Sequence, residues 1–142
     1  MRTHTSVVPL DPVDPVELFD AARKAAGNTQ NWALYDGRGF EHVRMYETRG
    51  NRRAAAAVTV RFPAAGGLCP RERGSDAPDG YADVGFWDGA SASDTDALWR
   101  HHADLVRQLG QWLDSRGIRW CWRFEDDPWT GGTVPAARGA RA

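Results

Sequence analysis

The chain has 142 residues, 42% of them hydrophobic and 26% charged, with a formal net charge of -1. That length suits one domain around one core, the balance excludes a wholly disordered chain, and the near-neutral charge removes the global basic excess of proteins that live on phosphate contacts. Cys69 and Cys121 show neither C-x-x-C nor framework spacing, and no apolar run approaches the roughly 20 residues of a spanning helix, so the expectation is a cytoplasmic protein with free thiols, no membrane association and no cofactor.

Residues 1 to 13 are polar and interrupted by proline, and read as an irregular lead-in to a single domain over 14–129. Asp14-Pro15-Val16-Glu17 then signals a helix start: an aspartate able to cap, a proline at the first helical position, and a glutamate able to close a capping box. Val16, Phe19, Ala22 and Ala26 form its apolar stripe with Leu18 beside it, and Gly27-Asn28 is its stop. Trp32 to Tyr35 is a short strand candidate, followed by an Asp36-Gly37 turn. His42 to Thr48 alternates as a strand, and Arg49-Gly50-Asn51-Arg52 connects it as a hairpin to Arg53 to Phe62, where Ala56, Val58, Val60 and Phe62 share a face.

Pro63 to Gly80 has the glycine, proline and charge content of a long loop, with Leu68 its one large apolar residue; disorder, and dispensability for folding, are expected. Tyr81 to Trp87 is a strand with Ala82, Val84 and Phe86 on one face. Ser93-Asp-Thr-Asp96 opens a second helix whose stripe runs through Leu98, His102, Leu105, Leu109 and Trp112, with Val106 and Leu113, and which ends at Gly117. Ile118 to Phe124 is a last strand, and from residue 130 the chain is expected to be a flexible tail. The order α-(β)-β-β-β-α-β implies an α+β two-layer sandwich: a mainly antiparallel sheet of four to five strands with two helices on one face.

The stretch IRWCWRFEDDPW, residues 118–129, concentrates three tryptophans, two arginines and three acids. Alternation sends Ile118, Trp120, Trp122 and Phe124 to one side and Arg119, Cys121 and Arg123 to the other. Burial of the tryptophans under the helices is the expectation, since each large apolar side chain stabilises by about 1.5–3 kcal/mol when covered. The second face is expected to be open. Projection from each strand gives it Arg44, Tyr46, Thr48, Thr59, Arg61, Tyr81, Asp83, Trp87, Arg119, Cys121 and Arg123, an arginine and aromatic surface suited to a protein interface or to phosphate contact with base stacking.

Catalytic patterns are sparse. Glu125-Asp126-Asp127 ends a strand, but sequential acids point apart and hard cations need converging oxygens. His101 and His102 diverge by about 100° around their helix and cannot share an ion; His102 reads as a core histidine and His101 as a surface one. No G-x-S-x-G elbow or phosphate-binding glycine loop is present, and no catalytic residue or metal site is assigned. The reading is a non-enzymatic binding or accessory protein that meets a protein partner, of inhibitor or immunity type, through the binding face Arg44, Tyr46, Arg61, Tyr81, Trp87, Arg119 and Arg123. Acidic residues including Asp126 and Asp127 suit that partner. The alternatives are a nucleic-acid-binding module using the same face, and a small metal-dependent or small-molecule enzyme with carboxylates at 125–127.

Overall fold

The computed structural model describes residues 3–26, 32–36, 41–47, 57–63, 78–88 and 95–139. Its elements run β1 (Thr3–Pro9), α1 (Pro15–Ala25), β2 (Trp32–Asp36), β3 (Glu41–Glu47), β4 (Ala57–Pro63), β5 (Asp83–Asp88), α2 (Thr95–Ser115), β6 (Trp120–Phe124) and β7 (Thr130–Gly131). The strands form one sheet in the order β2-β3-β4-β5-β1-β6-β7, and every pairing is antiparallel. Strands that point the same way cannot be joined by a tight turn. β1 and β2 are such a pair, as are β5 and β6, and α1 and α2 are the returns that join them. Both helices pack on one side of the sheet around a single core, so the architecture is the expected two-layer α+β sandwich, with a sheet wider by two strands.

Both extra strands correct the sequence reading. The lead-in is β1, paired with β5 on one side and β6 on the other. Its β-branched run Thr3, Thr5, Val7, Val8 favours extended backbone, and Pro9 sits at the strand end, where its missing N–H is tolerated. Thr3, Thr5 and Val7 are buried, and the Thr5 hydroxyl is satisfied by α2: Thr5 Oγ1 lies 2.6 Å from His102 Nδ1. His102 is thus a bonded core histidine, as expected, whereas His101 is half-buried and meets it edge-on. The expected flexible tail contains β7 and a segment that returns to the body. Gly132 N donates to Trp120 O, Trp122 Nε1 to Thr133 O and Arg107 Nη2 to Pro135 O, while Val134 packs against the core.

The locally coded elements form as read. Asp14 accepts from the Glu17 backbone N–H at 2.9 Å and Pro15 opens α1, but the Glu17 carboxylate accepts from Arg116 at 3.1 Å. Leu18, Phe19, Ala22, Ala25 and Ala26 are the buried stripe, and Val16, placed on that stripe by periodicity, is exposed. On α2, Trp99, His102, Ala103, Leu105, Val106, Leu109 and Leu113 cover the sheet. Trp120, Trp122 and Phe124 of β6 lie beneath the helices as expected. Gly110 makes room for Trp120: a methyl at that position would come within 2.6 Å of Trp120 Cη2. The loop 64–77, the connection 48–56 and the start signal at Ser93 lie outside the described residues.

Candidate functional site

The projected arginine and aromatic face divides. In β3, Arg44 stands opposite Val60 and Tyr46 opposite Val58, and directly paired residues of an antiparallel ladder belong to the same side of the sheet. Val58 and Val60 are core residues, so Arg44 and Tyr46 hold register positions on the helix side. Arg61 stands opposite Asp83, on the other. Nor is the centre of that second side open: Val8 is 0% exposed, and Ser6 and Cys121 are buried beside it. Ser6 Oγ donates to Asp83 Oδ1 at 2.6 Å, and Cys121 Sγ lies 3.8 Å from Val8 O. Trp87 is stacked on His4 with ring centroids 4.0 Å apart.

Arg119 and Tyr81 belong to the end of the sheet where β1 leaves. Tyr81 N donates to Pro9 O. Arg119 holds Asp11 through Nε at 3.2 Å, Nη2 at 2.8 Å and its backbone N–H at 2.8 Å. Those hydrogen bonds hold the Asp11 carboxyl below the usual aspartate range and raise the guanidinium. Among the face residues whose side chains are described, Tyr81, Trp87, Arg119 and Arg123, it is Arg123 that joins a concave site.

That site is at the far end of β6. Trp99 of α2, Trp122, Arg123 and Phe124 of β6, and Asp127, Pro128, Thr130, Pro135, Arg138 and Gly139 of the following chain enclose a cleft of about 320 Å³. The elements dictate this lining. Alternation along β6 puts Trp122 and Phe124 on the helix side, and the first turns of α2 leave Trp99 beside Trp122, ring centroids 6.4 Å apart. β6 ends at Phe124, Glu125 with its φ of 50° turns the chain, and Asp127 N donates to Phe124 O at 2.9 Å. The turn separates the acid trio: Asp126 is exposed and Asp127 faces the returning segment.

The returning segment supplies the opposite wall. Arg138 donates to Asp127 through Nε at 3.1 Å and Nη2 at 2.8 Å, and its guanidinium carbon lies 5.0 Å from the centre of the Phe124 ring. The bonds to Asp127, and then the charges of Asp127, Asp96 and Glu125, raise its pKa against the cost of burial. Arg123 lies over Trp129, 4.6 Å from its ring. Small-ligand and side-chain pockets have this make-up, an apolar and aromatic lining with a few placed polar groups.

Trp99, Trp122, Phe124 and Arg138 were absent from the expected site, and Asp127 was expected to serve a partner as an acid but not as part of the binding face. The tryptophans and Phe124 read as core, which they also are, and Arg138 lies in the expected tail. Among the described residues no group of three or more His, Cys, Asp or Glu is placed to hold a metal, and no helix is long and apolar enough to cross a membrane. Comparison with family models, curated proteins and solved structures finds no match to this chain.

Proposed function

We propose that this chain is a binding protein for a protein partner, in the cytoplasm, and that it grips that partner at the β6 cleft rather than across the sheet. The observation that carries the reading is the cleft itself: about 320 Å³, walled by Trp99, Trp122 and Phe124, with Asp127, Arg123 and Arg138 among its lining. That volume is at the small end for ligand pockets and suits one large side chain, the anchor on which protein interfaces concentrate their energy. The phosphate-binding alternative loses support, because Arg44 and Arg61 hold register positions on opposite sides and Arg119 is engaged by Asp11.

The test is selection of peptides from a randomised display library on the folded chain, followed by titration of each enriched peptide. Asp127→Lys should weaken these peptides by about tenfold or more, the usual loss at an anchor, and Arg119→Glu, at the opposite end of β6, should leave them unchanged. Peptides indifferent to Asp127→Lys would overturn the reading. Oligonucleotide binding that falls steeply with salt would replace it with the nucleic-acid one.

A further inference from the structure

The cleft already holds a side chain, and that side chain is a cation. Arg138 reaches it from outside the sheet, lays its guanidinium over Phe124 and engages both oxygens of Asp127. We infer that the cleft is a guanidinium-recognition site, that the partner's anchor is an arginine, and that Arg138 occupies its place when the partner is away. This deepens the reading above and rests on it.

Three features support arginine over an apolar or anionic anchor. First, the Asp127 carboxylate meets Arg138 through two N–H groups, the paired geometry that a planar guanidinium offers and an ammonium does not. Second, Phe124 lies beneath the guanidinium, and Trp99 and Trp122 line the same cleft, the aromatic surroundings in which cations gain from ring faces. Third, three carboxylates, Asp127, Asp96 and Glu125, act on the position of Arg138, and one other cation, Arg123, lines the cleft. With Arg138 gone the Asp127 carboxylate loses the two N–H donors and the counter-charge that Arg138 supplies, so the vacated place favours a positive charge.

The geometry of Arg138 fits a replaceable occupant. Among the described residues its Nη1 takes part in no hydrogen bond, and its side chain keeps 35% of its exposure. The segment that carries it is held independently at Thr133 and Pro135, so Arg138 can leave Asp127 while the wall stays in place. Competition from a tethered residue lowers the apparent affinity of any rival by the fraction of time the site is open.

The experiment is a titration of the full chain and of Arg138→Ala with N-acetyl-arginine amide, reading the indole N–H signals of Trp99 and Trp122 by two-dimensional NMR. N-acetyl-citrulline amide, which has the same shape without the charge, N-acetyl-lysine amide and N-acetyl-aspartate amide are the comparison probes. Arginine amide should bind Arg138→Ala at least about tenfold more tightly than the wild type, the gain from removing a competitor that fills the site most of the time. Citrulline and aspartate amides should leave the signals in place, lysine amide should bind more weakly than arginine, and Asp127→Asn in the Arg138→Ala background should abolish the arginine shift. Should Arg138→Ala lose its folded spectrum, Arg138→Gln, which keeps a shorter polar side chain without the guanidinium, carries the same titration. Equal shifts with arginine and citrulline, or shifts with aspartate alone, overturn the guanidinium assignment. Failure of arginine while display-selected peptides still depend on Asp127 overturns this inference and leaves the cleft as the binding site; failure of both removes the cleft.

Discussion

The two ends of β6 carry the same ingredients and put them to different use. At each end a tryptophan faces α2 and an arginine grips an aspartate, Trp120 with Arg119–Asp11 and Trp122 with Arg138–Asp127. At the Trp120 end the helix approaches so closely that only glycine fits at position 110, and Trp120 Nε1 is satisfied by Asp114. At the Trp122 end α2 begins and β6 turns away, and a cleft remains between them. The ion pairs differ likewise: the Arg119 side chain is 75% exposed, against 35% for Arg138, which has Phe124 beneath it. An aromatic side chain stabilises where its neighbours close around it and recognises where they stop short.

The largest test of this contrast is removal of each tryptophan. Trp120→Ala should cost about 3–5 kcal/mol in urea denaturation, because its surroundings are tightly packed and cannot collapse into the void. Trp122→Ala should fall at the lower end of the same range, since the void it leaves joins a cleft already open to water. A larger loss at Trp122 than at Trp120 would break the comparison.

Gly110→Ala comes next. Alanine in a helix interior normally gains about 1 kcal/mol over glycine, but here the methyl meets the Trp120 ring, and overpacking costs about 1–3 kcal/mol. A net loss of stability is expected. Combined with Trp120→Leu the same substitution should become stabilising, which thermal melts of the four variants would read as a change of sign.

The smallest effect belongs to the exposed ion pair. Arg119 holds the Asp11 carboxyl below its ordinary value. A depressed aspartate contributes stability that is complete above the unfolded-state pKa and is lost as pH falls through the folded one. The stability difference between wild type and Arg119→Met should therefore be constant at neutral pH and close in acid, below the ordinary aspartate value of 3.8. The Asp11 carboxyl carbon, followed by NMR, should titrate at higher pH in the variant. An unchanged midpoint would show that the guanidinium does not bind that carboxylate in solution.

What was legible in the sequence is what neighbouring residues determine. Asp14-Pro15 starts α1 because cap and first turn lie within four residues, and the alternation from Trp120 to Phe124 assigns the covered side of β6 because successive side chains oppose each other. The antiparallel pairing of β3 with β4 follows from two alternating runs flanking a turn. Alternation within one strand, however, does not say which residue of the next strand stands beside it. A register displaced by one residue exchanges the two sides, and that is how Arg44 and Tyr46 part from Arg61. The place of β1 at the heart of the sheet was hidden for the same reason: its hydroxyl residues look solvent-facing until His102, 97 positions away, supplies the partner for Thr5. The cleft belongs wholly to tertiary structure. Its walls come from a helix start, a strand end and a returning segment held by bonds to Trp122 and Arg107, contacts that local composition does not encode because their partners are distant in the chain.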